Sequence, residues 1–220
     1  LFNGLDDDYL SDFVSDSEDG QYSSFQDFFT RKLVSKVNPK FSAIWPCEGY
    51  VCEQGKVSEL PVVTVKGQSR NLKEIFGAGQ NQIPGDFYYT NIFLHNHNYH
   101  RIHAPVEGTV TRIERVPGEL SILRPWVYSF NEVSKPALRN ERVNIDILDQ
   151  EGRPWFLSIV GGMGVGTIKL MDIVLGSKVR AGDEIALFLL GSTCCMVSPV
   201  KPSDKNYLEI VRVGQSLAEV

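Results

Sequence analysis

The chain has 220 residues, 42% hydrophobic and 22% charged, which is enough for one good core and ordinary for a soluble globular protein. A formal net charge of −5 argues against nucleic acid as a partner, because phosphate binding needs a basic surface. No apolar run approaches the ~18 residues of a spanning helix, and four cysteines in a chain of this length do not make a disulfide framework.

The chain begins at Leu1 rather than Met, so it reads as a fragment or processed form, which leaves room for a targeting segment or membrane anchor ahead of it. Residues 1–22 carry Asp6, Asp7, Asp8, Asp12, Asp16, Glu18 and Asp19 and no basic residue. They read as an acidic, solvated and mobile lead-in that an anionic membrane would repel. Residues 23–220 read as one domain. Its first element is a short helix over 24–33, with Phe25, Phe28 and Phe29 at i, i+3 and i+4 and Ser23 or Ser24 as cap. A second short helix covers 72–76 and closes at Gly77.

Nearly everything else reads as strand and turn. The runs 50–52, 62–65, 87–94, 108–116, 142–148, 155–160, 166–170, 184–190 and 207–213 are short and separated by Gly, Pro, Asn or Asp. The expected fold is mainly β (α+β): a single compact domain of short antiparallel strands with barrel-sandwich-like hairpins and a few short helices. The hairpin-like pieces 105–110 and 176–183 resemble those of folds that carry biotin or lipoate. Neither presents a lysine at its tip, so only the fold hint remains. Cys47, Cys52, Cys194 and Cys195 read as buried thiols, the adjacent pair pointing to opposite faces of a strand.

All four histidines fall between positions 95 and 103. His95 and His97 lie in a polar loop after a strand, where solvated or hydrogen-bonded rings are the plain reading. Metal ligation by these two with His100 or a cysteine would need a spacing the chain lacks, so no metal is assigned. His100 and His103 are the candidates for proton transfer. Far downstream, Ser192 follows Gly191, a residue that permits an unusual backbone. The surroundings are not Gly-x-Ser-x-Gly, so a hydrolase nucleophile elbow is not supported.

Several motifs taken in order are far more specific than any one. They are Phe25-Gln26-Asp27-Phe28-Phe29-Thr30-Arg31-Lys32-Leu33, Pro46-Cys47-Glu48-Gly49, Val65-Lys66-Gly67 and Tyr99-His100-Arg101-Ile102-His103-Ala104-Pro105. Val116-Pro117-Gly118-Glu119-Leu120, Arg139-Asn140-Glu141-Arg142, Val160-Gly161-Gly162 and Leu190-Gly191-Ser192-Thr193 complete the set. Through these the chain resembles the phosphatidylserine decarboxylase family over nearly its whole length.

The resemblance implies a decarboxylase, a carboxy-lyase, made as a zymogen that cuts itself between Gly191 and Ser192. The serine hydroxyl attacks the preceding carbonyl, the ester leaves by β-elimination, and residue 192 becomes a pyruvoyl cofactor. That group would form a Schiff base with an amino-acid head group and decarboxylate it, turning phosphatidylserine into phosphatidylethanolamine or acting on a related small molecule. By position in the motifs, Ser192 matches the nucleophile, His103 the base of self-cleavage, and His100 a histidine tied to decarboxylation. Glu48 stands where the family has the aspartate that orients the base. The resemblance further implies a homodimer. Location is expected to be cytoplasmic or peripheral at a membrane, with contact through an N-terminal region absent from this chain.

Four departures from the family pattern stand out. Glu48 is one methylene longer than aspartate, and a displacement of about 1 Å can cost ~10²-fold in rate. Asn98 removes the charge that usually precedes the Tyr-His pair. His95 and His97 are additional, and Gly162-Met163 replaces Gly-Ala near the expected pocket. The alternative is an uncleaved homologue without pyruvoyl, binding a ligand or running other acid–base chemistry with His100, His103 and Glu48.

Overall fold

Short β-branched and aromatic runs punctuated by turn residues fold here into antiparallel strands. The structure, a computed structural model, describes residues 7–17, 19–162, 164 and 166–219. Residues 1–6 and Glu18 of the expected lead-in, and Met163 of the Gly162-Met163 departure, lie outside the described residues.

The chain opens with helix α1 (Asp7–Ser11), strand β1 (Phe13–Val14), helix α2 (Phe25–Phe29) and strand β2 (Lys32–Leu33). Ser24 caps α2 by accepting from the Asp27 N–H, as its sequence suggests. The helix ends sooner than expected. Thr30 closes it, and Lys32 and Leu33 turn extended to pair with Phe13 and Val14. The pairing with β1 therefore outweighs helix propensity in the last turn.

Strands β3 (Gly49–Lys56), β4 (Val62–Val65) and β5 (Gln68–Asn71) follow. β4 and β5 form a hairpin closed by Lys66 and Gly67, both at positive φ (49° and 78°), the conformation of a type I′ turn. The expected helix at 72–76 is a 3₁₀ segment, Leu72–Gln82, kinked rather than closed at Gly77. Then come β6 (Tyr88–Leu94), β7 (Arg101–His103), β8 (Gly108–Val116), β9 (Arg142–Asp149) and β10 (Pro154–Gly161). The chain finishes with β11 (Ile168–Leu170), β12 (Lys178–Val179), β13 (Glu184–Phe188), β14 (Ser192–Ser198) and β15 (Glu209–Val211).

The main sheet has eight strands in the order β12-β8-β9-β10-β14-β6-β3-β15, every neighbouring pair antiparallel. A smaller sheet, β11-β13-β7, packs over one face. The mainly β (α+β) expectation holds. Both faces of the large sheet are covered. Trp155, Leu157 and Ile159 of β10 join Ile102, Ile185 and Phe188 of the small sheet in one core. Phe156 and Val160 point the other way, into a second core with Leu72, Ile75, Phe76 and Leu138. Cys194 and Cys195 part in the same manner, one to each core, and all four cysteines are free and buried.

Candidate active site

Ser192 is the first residue of β14 and sits between Gly161 of β10 and Leu94 of β6. A strand runs directly out of the serine, and the expected strand over 184–190 stops at Phe188, so 189–191 form the approach to it. Gly191 has φ +58°, a region where a side chain would be strained. Ser192 is buried, and its Oγ donates to the Leu94 carbonyl at 3.3 Å. A methyl group on Gly162 would stand 2.8 Å from the Gly191 Cα, so only glycine lets the two backbones pass. Beside them lies a cavity of about 240 Å³ bounded by Leu94, Asn96, Leu123, Arg124, Leu190 and Ser192.

His103 is buried in β7 opposite Glu184. Its Nδ1 lies 2.6 Å from the Gly182 carbonyl oxygen. A carbonyl only accepts, so Nδ1 carries the hydrogen and Nε2 keeps its lone pair. The Tyr99 hydroxyl donates to that lone pair at 3.0 Å. Burial lowers the pKa of His103, with the Gly182 contact and the Glu184 charge acting against it. The ring is therefore neutral at neutral pH, in the tautomer a base needs. It lines a second cavity, of about 680 Å³, with Lys32, Lys36, Asp183 and Glu184.

His100 lies flat against Phe29, ring centroids 3.6 Å apart. It is fully buried, and neither ring nitrogen has a hydrogen-bond partner among the described residues. Burial pushes its pKa well down and the Arg31 charge adds to this; the Asn98 backbone opposes it, though not in hydrogen-bond geometry. Two unpartnered buried nitrogens cost free energy unless a ligand meets them.

Glu48, buried just before β3, collects three donors on Oε1: the Tyr9 hydroxyl at 2.6 Å, Asn98 Nδ2 at 2.9 Å and the Tyr99 N–H at 3.3 Å. Arg31 completes the cluster. It donates to the Tyr9 hydroxyl (3.0 Å), the Phe28 carbonyl (2.9 Å) and the His97 carbonyl (2.7 Å), with Phe13 and Phe28 rings against its guanidinium.

Among the described residues, Tyr99 is the link between Glu48 and His103: its N–H meets the first and its hydroxyl meets the second. Among the described residues, neither His103 nor Glu48 hydrogen-bonds Ser192, and the two cavities keep the serine and His103 on separate openings. Asn98, a departure on paper, serves as a donor to Glu48 that a carboxylate could not be. Tyr9 and Gly182 carry contacts that the sequence does not signal.

His95 and His97 face each other, centroids 4.3 Å apart, and Tyr50 Oη is 3.3 Å from His97 Nε2. Burial lowers both pKa values. Among the described residues no three His, Cys, Asp or Glu side chains group so as to hold a metal ion.

Comparison with known sequences bears on this geometry. The profile of the family described as phosphatidylserine decarboxylase matches residues 25–219, from α2 to the last described residue. The chain is 31% identical to the phosphatidylserine decarboxylase proenzyme of Delftia acidovorans, over 93% of this chain and 80% of the relative. It is 29% identical to the proenzyme of the same name from Chromobacterium violaceum, over 93% and 81%. With that of Acinetobacter baumannii it shares 33% identity over 80% of this chain and 68% of the relative.

Proposed function

Because this chain belongs to the phosphatidylserine decarboxylase family, whose members are carboxy-lyases, we propose that it is a proenzyme that cuts itself before Ser192 and then decarboxylates the serine head group of a phospholipid. The observation that carries this reading is the setting of Gly191-Ser192. A glycine at positive φ leads into a buried serine at the wall of a cavity, inside the segment the family profile covers.

The first reaction uses only this chain's groups. Ser192 Oγ attacks the Gly191 carbonyl carbon and loses its proton, and the amide becomes an ester. Removal of the Ser192 Cα proton expels Gly191 as a carboxylate and leaves dehydroalanine, which water converts to the pyruvoyl group with release of ammonia. His103 is the base this reading favours: neutral, with its hydrogen held on Nδ1 by Gly182 and its Nε2 lone pair accepting from the Tyr99 hydroxyl. To reach Ser192, Nε2 has to exchange the Tyr99 hydroxyl for the serine. Glu48 then acts as a positioning residue, fixing the Tyr99 backbone and with it the hydroxyl that occupies His103.

Residue 192 has room for the new group. The cavity of about 240 Å³ adjoins it, and Ser192 itself forms part of the wall. A pyruvoyl group there supplies an electron-accepting carbonyl for the charge left when carbon dioxide departs. In this reading His100, neutral and with both ring nitrogens unpartnered among the described residues, holds the substrate carboxylate or returns a proton to the carbon that loses it; its place in the family motif supports the role, although it lies outside the lining of the Ser192 cavity.

Intact mass of the purified protein tests the reading. Two species are expected, residues 1–191 and a fragment from 192 whose mass is that of a serine N-terminus less ammonia. One full-length species that persists on long incubation would overturn it.

A further inference from the structure

The connection between β8 and β9, residues 117–141, is far longer than a hairpin turn. It runs past the serine cavity in three 3₁₀ turns, Pro125–Val127, Phe130–Glu132 and Lys135–Leu138. Leu123, Pro125, Val133, Ala137 and Leu138 are buried and pin the segment to the second core. The Tyr128 hydroxyl donates to the Ile122 carbonyl at 2.6 Å and closes its tip. Trp126 touches Phe93 (centroids 5.5 Å) and Phe130 touches Tyr207 (5.4 Å), yet both keep more than half of their surface in solvent. Leu120, Ile122, Trp126, Val127 and Phe130 stand 43–67% exposed.

This apolar face is continuous with the mouth of the cavity. Ile122 and Arg124 belong to both, and Leu190, also exposed, lines the cavity next to Gly191. Between residues 120 and 131 the only charge is Arg124, although the chain as a whole is acidic. Outward aliphatic and aromatic tips with one cation are the chemistry of a lipid–water interface, and a single arginine on an acidic protein favours an anionic leaflet. Size points the same way. A cavity of about 240 Å³ admits a head group but not two acyl chains, so the remainder of the lipid has to lie against whatever surrounds the mouth.

We propose that the 120–130 face rests on a phospholipid bilayer and presents the Ser192 cavity to the head-group layer. This rests on the reading of the cavity as the site for a phospholipid head group.

The molecule carries its own reporter. Of three tryptophans, Trp45 and Trp155 are 1% and 0% exposed, and Trp126 is 54% exposed at the centre of the face. Vesicles of phosphatidylcholine, with and without phosphatidylglycerol, are added to the protein. Phosphatidylglycerol supplies negative charge without being a serine lipid, so binding is read apart from turnover. The expected result is a blue shift of tryptophan emission and co-sedimentation, both stronger with the anionic lipid. Trp126→Ser should remove the shift. The double variant Val127→Asn/Phe130→Asn should weaken co-sedimentation by roughly tenfold or more, each apolar side chain being worth a kcal/mol or so of burial. Those two residues do not line the cavity, so self-cleavage by intact mass should be unchanged in the double variant. No shift and no sedimentation on either vesicle, or sedimentation that the double variant leaves intact, would overturn the proposal. Vesicle binding by a protein that never cleaves would instead overturn the catalytic reading.

Discussion

Gly162 and Gly191 pass so closely that the space of one methyl group separates having a side chain from having none. The missing Cβ of Gly162 would sit 2.8 Å from the Gly191 Cα and 3.2 Å from its carbonyl carbon, the atom that Ser192 would attack in the proposed self-cleavage. Gly162→Ala is therefore expected to push the scissile segment out of place. Stability should fall by about 1–3 kcal/mol, the usual cost of overpacking, and self-cleavage should slow at least tenfold, since a shift near 1 Å is enough for that. Urea unfolding and a gel time course check the two effects. Unchanged values for both would mean that the approach can relax freely.

The three donors on Glu48 Oε1 set a second expectation. In Glu48→Asp the carboxylate withdraws by one methylene, and the Tyr9 hydroxyl, Asn98 amide and Tyr99 N–H lose their shared acceptor. A loss of about 2–4 kcal/mol is expected, a sum of bonds to a charged group discounted for rearrangement. Tyr9→Phe should cost about 1–2 kcal/mol, because it removes one donor to Glu48 and one acceptor of Arg31. Urea titrations measure both. A Glu48→Asp protein as stable as the parent would show that the cluster does not depend on the longer side chain.

The buried histidines make stability fall with acid. Burial lowers the pKa of both His100 and His103 in the folded protein. The unfolded chain takes up protons near pH ~6.5 while the folded chain does not, so stability is full above that pH. It is lost progressively as pH drops toward the lowered folded values. Unfolding free energies measured from neutral pH down to about pH 5 should show this slope, and His100→Leu should flatten it. A parent curve that is level across the range would contradict the assignment of these rings as neutral.

None of the four cysteines should react in the native state. All are buried, and burial raises the thiol pKa of Cys47 and Cys195 and pushes that of Cys52 up to about 12. The thiolate is the reactive form, so its scarcity adds to the lack of access. A chromogenic disulfide reagent should count no thiols in buffer and four in urea. Rapid native labelling of even one would point to an opening that the structure does not contain.

Much of the fold could be read from alternation and turn residues. β4 and β8 span the expected runs, β6 and β9 differ from them by one residue at one end, and β10 by one residue at each end. β14 escaped notice for a physical reason. Thr193 to Val197 faces a core on each side, so the strand has no polar face and no period of two. Of the candidate residues, His100 and His103 stand out in the histidine cluster itself, whereas Glu48 and the pairing of Ser192 with these histidines come through motif resemblance. The Tyr9 contact is not legible, because 39 residues separate it from Glu48 and nothing in an acidic stretch marks one tyrosine as bonded to a buried carboxylate. Tyr99 is adjacent to His100 in sequence, yet its double use, N–H to Glu48 and hydroxyl to His103, depends on the bend between the loop and β7.

The place of β14 in the sheet bears on what the proposed self-cleavage would leave behind. The strand lies between β10 and β6 and pairs along its length with both, and β15 beyond it pairs with β3. A cut before Ser192 would free no domain; it would turn the middle of the sheet into a separate peptide held only by its neighbours. Before the cut, unfolding is a first-order event that the chain can reverse alone. Afterwards, reassembly needs two polymers to meet, and its rate falls with dilution. The protein would fold once as a single chain and then persist by the slowness of its own dissociation.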